Sequence, residues 1–242
     1  MLTPEKFVQY MTEIEKWNAT ARVVNSENAK ELFIQQQPFV MEEIEETLKA
    51  LNEDDTKEIL DGAADILVTL GYKISLLNIA IGNKGYSEGV EEQSKREMYF
   101  MESQIKTNAE STYQDLLFFL EDALVDSNNI EFPESSDYHY FTRNSMWIAR
   151  ELFDFLKLVE FYTGNDLCLV IEDVLESNWS KFPKFVSEEV CKKEEEYILN
   201  NRKDVEFVIS TVVGDRVVYF NQNQKIMKPS TFQDVDPSKW GL

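Results

Sequence analysis

The chain reads as a mainly α protein that ends in a small β-hairpin and an extended tail. Three observations predict this. Eight glycines and six prolines in 242 residues are few for a turn-rich β fold. Apolar residues recur at helical spacing through most of the first 200 positions. Only beyond Val205 does the pattern change to β-branched runs around a Gly-Asp turn. With 43% hydrophobic and 12% aromatic residues the chain can bury a real core. No long Gly/Ser or Pro linker divides it, so residues 1–242 are expected to form a single domain.

The elements follow in order. Phe7, Tyr10, Met11 and Ile14 stand at helical spacing, predicting a helix over 5–17 and a second over about 27–36. Pro38 suits the first turn of a new helix, with Phe39, Val40, Ile44, Leu48 and Leu51 forming one apolar stripe. Residues 52–56 are a short polar connection, and a long helix runs from about Thr56 to Ala80, ending near Gly82–Gly85. Residues 83–107 are polar and carry no clear period. A helix over 108–125 is predicted from Tyr113, Leu116, Leu117, Leu120 and Leu124. Residues 126–144 read as an irregular excursion containing Pro133 and the sole histidine, His139. Helix resumes over about 145–162, breaks at Thr163-Gly164-Asn165, and restarts behind Asp166 as N-cap, running to about Trp179. A charged helix covers 188–200. Val205–Val213 and Arg216–Phe220 form the hairpin, and the tail from Lys225 carries Pro229 and Pro237.

Charge narrows the function. The balance of 24 basic against 45 acidic residues, net −21, argues against gripping a nucleic-acid backbone. A mononucleotide is still admissible, because a bound cation can reverse the local field. Cys168 and Cys191 are isolated, which predicts reduced thiols rather than a zinc or disulfide framework. A lone histidine builds no zinc site, and neither a glycine-rich phosphate loop nor a nucleophile-elbow serine is present. No run of about 18 uncharged apolar residues occurs. A soluble cytoplasmic protein without membrane or nucleic-acid partners is expected.

The strongest local signal is acidic. Between Glu42 and Asp65 lie ten acidic residues and two basic ones, Lys49 and Lys57, interleaved with Ile44, Leu48, Leu51, Ile59, Leu60, Ile66 and Leu67. Carboxylates held against an apolar seam are costly without a positive partner, and hard divalent cations are the usual partner for oxygen ligands. A short break between two helices makes an antiparallel hairpin. Pairing across it sets Glu46 level with Asp61 and Glu43 level with Asp65. Glu58, Asp61 and Asp65 fall within an arc of about 60° on their helix. Two rows of carboxylates at matching height can hold one or two Mg²⁺ ions. By contrast, Glu194-Glu195-Glu196, beside Lys192 and Lys193, reads as a solvated face.

These residues resemble the all-α nucleotide pyrophosphohydrolases, the MazG-like and phosphoribosyl-ATP pyrophosphatase-like group. Their ExxE…ExxD pattern is met by Glu43-xx-Glu46 and Glu58-xx-Asp61. The D-G-x-x-D variant of the phage-type branch is met by Asp61-Gly62-Ala63-Ala64-Asp65. The two patterns leave open which of Glu58, Asp61 and Asp65 touch metal; matching height favours Asp61 and Asp65. Gly164-Asn165-Asp166, then Glu176-Ser177-Asn178-Trp179-Ser180-Lys181, resemble that branch's G-x-D…SNMSK segment. Lys225-Ile226-Met227-Lys228 through Val235-Asp236-Pro237 resemble its C-terminal tail, with Gln224 in place of a glycine.

The resemblance implies a four-helix core, often assembled as a homodimer or homotetramer. It implies Mg²⁺ (or Mn²⁺) on Glu43, Glu46, Asp61 and Asp65, with Glu42 or Glu58 as general base. Asn178, Lys181, Lys225 and Lys228 would bind phosphate or sugar. The expected reaction is NTP or dNTP plus water to NMP plus pyrophosphate, in the host cytoplasm if the gene is a phage's. The same fold acting on phosphoribosyl-ATP or a guanosine alarmone is one alternative. A non-catalytic helical protein with an acidic binding face is another, and carboxylates that diverge in space would mark it.

Overall fold

The computed structural model describes residues 1–22, 24–80, 112–132, 138–223 and 225–241. The expectations for residues 83–107, for the helix end near 82–85 and for Pro133 lie outside these. Helix α1 (Pro4–Ala21) is capped by Thr3, whose hydroxyl accepts from the Lys6 amide. Helices α2 (Ala29–Glu53) and α3 (Thr56–Ala80) form the antiparallel hairpin. Helix α4 (Thr112–Phe118) passes through a π-helical turn (Phe119–Ala123) into α5 (Leu124–Asn128). Then come α6 (Tyr138–Thr163), α7 (Leu167–Ser180) and α8 (Glu188–Asn201). Strands β1 (Val208–Val213) and β2 (Arg216–Asn221) pair antiparallel across Gly214-Asp215, with Gly214 at φ +62°. The mainly α architecture with a C-terminal hairpin is the one the pattern predicts.

Helix α3 is the axis of the bundle. It packs on α2, α6, α1 and α7, and from Leu70 to Asn78 every residue is buried. By length and composition α3 could cross a membrane, but 72% of its most apolar stretch is buried inside the fold, as befits a core helix. Its register against α2 is set by Gly62. A Cβ at that position would come 2.2 Å from Thr47 Oγ1, so only glycine lets the two backbones approach there. Thr47 is itself held by a 2.7 Å bond from its hydroxyl to the Glu43 carbonyl.

Four expectations need correcting. The predicted helices over 27–36 and from Pro38 are one helix, α2, with Pro38 inside it. The ring deprives the Ile34 carbonyl of its usual donor, but Ile34 is 53% exposed, where water can replace the bond. The connection expected over 52–56 is only Asp54-Asp55, because Asp54 turns the chain at φ 55° and Asp55 caps α3 through the Glu58 amide. Helix α6 starts at Tyr138, not near 145, so His139 sits on its first turn rather than in a loop. Finally, the acidic run 194–196 is not wholly solvated. Glu194 accepts from the Ser230 amide and hydroxyl, and Glu195 from those of Ser210.

The extended tail is anchored to the core. Trp240 is 1% exposed and Met227 2% exposed. Buried Asp173 on α7 accepts from the Asp236 amide (2.6 Å), Lys239 Nζ (2.8 Å) and Trp240 Nε1 (3.2 Å). Burial works to raise the Asp173 pKa, but these three donors outweigh it and hold the carboxyl below its usual value.

Two outcomes follow from this packing. Gly62→Val should cost about 1–3 kcal/mol by overpacking the α2–α3 contact, read as a lowered denaturation midpoint. Asp173→Ala should leave the three donors unmatched and expose the tail beyond Pro229 to limited proteolysis. A tail as resistant as in the parent protein would contradict the anchoring.

Candidate active site at the acidic hairpin

A cavity of about 380 Å³ opens where α1, α2, α3, α7 and the tail meet. Glu42 and Glu43 reach it from α2 and Asp65 from α3, while Asn178 and Lys181 come from the end of α7 and Lys225 from the segment after β2. Six of the ten residues singled out from the sequence therefore line one space.

The approach of the basic residues has a local cause in each case. Lys181 closes α7, and its Nζ lies 2.5 Å from Asn178 Oδ1, so the i,i+3 pair forms one polar tip. Trp17 Nε1 donates to the Asn178 carbonyl at 2.8 Å and stacks on Phe182, tying that tip to α1. Lys225 is presented by Asn221, whose side chain accepts from the Asn223 and Lys225 amides. Met227 then bonds back to the Tyr219 carbonyl, keeping the tail on the hairpin.

The acidic side is electrostatically uncompensated. Burial, then Asp65, Glu46, Glu42 and Asp61, raise the Glu43 pKa to about 8. Burial and Asp61 raise Asp65 to about 7, with Glu46 adding to the shift and Lys181 and Lys228 opposing it. Asp61 is also raised, by burial and then Glu58. On the other side, desolvation and Lys228 lower the Lys181 pKa, while Asp65 and Asp234 pull it back. The cavity thus joins a negative wall to a positive one.

The remaining four candidates stand outside the lining. Asp61 is half-buried and Glu46 exposed, one turn from the cavity, and both act on Asp65 through their charge. Glu58 is exposed and paired with Lys57 at 2.8 Å. Lys228 is exposed, 3.2 Å from Asp234 and 4.1 Å over the Phe232 ring. Sequence reasoning missed Arg22, Gln36 and Tyr72, which also line the cavity. The signal available for Tyr72 was its spacing: Asp65, Val68, Thr69 and Tyr72 share one face of α3. Trp17 lines the cavity as well as stacking on Phe182.

The donor set suits a hard divalent cation: all oxygen, crowded with like charge, and next to lysines that fit phosphate rather than neutralise every carboxylate. Among the described residues, the group of three metal-type side chains within 4.8 Å of one another is a different one, Glu160, Asp166 and Cys168. There Glu160 already takes Lys157 Nζ at 2.7 Å and the Leu2 amide at 2.8 Å, and Asp166 caps α7. Among the described residues, no three of the hairpin carboxylates come within that spacing.

Residues 16–81 match the family model described as phosphoribosyl-ATP pyrophosphohydrolase. This segment is phosphoribosyl-ATP pyrophosphohydrolase-like. The match runs from the end of α1 through α2 and α3, so it contains every candidate carboxylate together with Trp17, Arg22, Gln36 and Tyr72. A family of this kind supports a nucleotide pyrophosphohydrolase-type activity, and its enzymes typically depend on a divalent metal. Asn178, Lys181, Lys225 and Lys228 lie beyond the match, on elements that fold back over it. No curated protein and no solved structure matches the chain significantly.

A pH effect follows. Glu43 and Asp65 keep protons in the folded state that the unfolded chain has released by about pH 5. Without divalent cation, their contribution to stability should therefore rise as pH falls from about 8, the Glu43 value. Added Mg²⁺ should raise the melting temperature more at pH 8 than at pH 6, because charged carboxylates bind it better. An equal or larger gain at pH 6 would contradict this assignment of the shifts.

Proposed function

We propose that the protein is a divalent-metal-dependent nucleoside triphosphate pyrophosphohydrolase, converting NTP or dNTP and water to NMP and pyrophosphate. The observation that carries the reading is the single cavity walled by Glu42, Glu43 and Asp65 on one side and by Asn178, Lys181 and Lys225 on the other. A triphosphate is long and highly charged, and it needs both walls. Glu43, Glu46, Asp61 and Asp65 would hold Mg²⁺ or Mn²⁺, which supplies positive charge to the phosphate oxygens when bound.

The chain's own residues do the rest. Asn178, Lys181 and Lys225 bind and orient phosphate or sugar oxygens, and Lys228 joins them by exchanging Asp234 for phosphate. Glu42 at the cavity wall accepts a proton from the attacking water. Water oxygen bonds to the α-phosphorus, the bond to the α,β-bridging oxygen breaks, and pyrophosphate leaves. Glu58 takes no direct part in this scheme; it stands beside Asp61 and raises that residue's proton affinity. We place the enzyme in the cytoplasm and expect a homodimer or homotetramer, which light scattering on the purified chain would determine.

The test is pyrophosphate release from the common NTPs and dNTPs, phosphoribosyl-ATP and a guanosine alarmone, with Mg²⁺, Mn²⁺ or EDTA. Turnover should require metal. Asp65→Asn and Glu43→Gln should each lower it at least about 100-fold, the scale on which one charge-stabilising group acts, without loss of folding. Lys181→Ala should weaken substrate binding by about 1.5–3 kcal/mol, read as a raised KM. Hydrolysis at the full rate in EDTA would overturn the mechanism, and faster turnover of phosphoribosyl-ATP or the alarmone would reassign the substrate.

A further inference from the structure

The cavity continues past its charged walls to a floor that the hydrolytic scheme does not use. Gln36 and Tyr72 stand at the same level of the α2–α3 hairpin, each seven residues from Glu43 and Asp65, or ~10 Å along the helix axis. That is the reach from the phosphates of a nucleotide to its base. Arg22, at the end of α1, lies beside Tyr72.

Among the described residues, two polar groups at this level lack partners. Tyr72 is 2% exposed, yet its hydroxyl makes no hydrogen bond to any of them. The Arg22 Nε is buried and equally unmatched, and Arg22 forms no salt bridge among the described residues. Buried polar groups are nearly always satisfied, so an unmatched pair beside an open cavity marks the place of a ligand's own polar atoms. Tyr72 also borders a second cavity, lined by Thr12, Lys16 and Asn25 among others, but Arg22 and Gln36 line the one that holds Asp65 and not this one.

The chemistry of the pair selects the ligand. Guanidinium nitrogens only donate. Burial keeps the Tyr72 hydroxyl protonated, its pKa pushed up to about 12. Arg22 offers only donors and the Tyr72 hydroxyl can add another, which favours an edge with a keto oxygen at purine C6 or pyrimidine C4 over one with an amino group there. Guanine presents O6 and N7 in this way, and uracil and thymine present carbonyls. The exocyclic amino groups of adenine and cytosine would meet donor with donor. Gln36, with both a donor and an acceptor, fits the rest of the edge, while Phe39 and Trp17 give the base apolar walls.

We propose that Arg22 and Tyr72 read a nucleobase with a keto oxygen at purine C6 or pyrimidine C4, so that the site prefers guanine, uracil or thymine nucleotides over adenine and cytosine ones, which carry an amino group there. This rests on the nucleotide reading given above. The test is equilibrium binding, with Mg²⁺, of the non-hydrolysable α,β-imido analogues of dGTP, dUTP, dATP and dCTP, and of inorganic tripolyphosphate. The proteins are the full chain and its Tyr72→Phe and Arg22→Lys variants. The parent protein should bind the dGTP or dUTP analogue at least about fivefold more tightly than the dATP and dCTP analogues, the lower end for one good base contact. Which of the two is tighter tells purine from pyrimidine. Both variants should bring the ratio towards one and leave tripolyphosphate affinity unchanged. Tyr72→Phe removes an unmatched hydroxyl, so its melting temperature should hold or rise, which separates lost recognition from lost folding. Equal affinity for all four nucleotides, a ratio unchanged in the variants, or tripolyphosphate weakened in step would overturn this inference alone. Binding of none of the five compounds would overturn the nucleotide reading itself.

Discussion

Repulsion among the carboxylates of the α2–α3 hairpin is the constraint around which the structure is arranged. Glu43 and Asp65 are partly withdrawn from water by the same packing that buries Val40, Ile44, Ile66 and Leu67. Asp65 is opposed by the charges of Lys181 and Lys228, which come from elements far along the chain that close over the hairpin. A fold gains nothing in stability from such an arrangement. It leaves a negative wall facing a positive one across an open space, which suits a metal-bound polyphosphate.

Much of this was legible in the sequence because it depends on period and spacing. Antiparallel pairing across a short break set Glu43 level with Asp65, and the Gly62–Thr47 approach holds that level in the structure. The turn at Gly164 and the cap at Asp166 are local signals that tertiary packing leaves alone. Likewise Gly214 at positive φ marks the hairpin turn.

What was not legible depends on contacts between distant segments. Pro38 looked like a helix start, because nothing local says that the Ile34 carbonyl it orphans faces water. The tail read as extended, with no sign of what holds its end, because its anchor, Asp173, is an ordinary helix carboxylate until Lys239 and Trp240 reach it. Arg22 and Tyr72 belong to no motif. They come together only because α1 ends against α3, and their lack of partners is visible only in three dimensions.

On the proposed function, the hairpin carboxylates meet a divalent cation. The most direct measurement is anomalous scattering from crystals of the protein grown with Mn²⁺. A peak is expected between α2 and α3, bounded by Glu43 and Asp65 and lost in Asp65→Asn. No peak there, or one only at Glu160, Asp166 and Cys168, would contradict it.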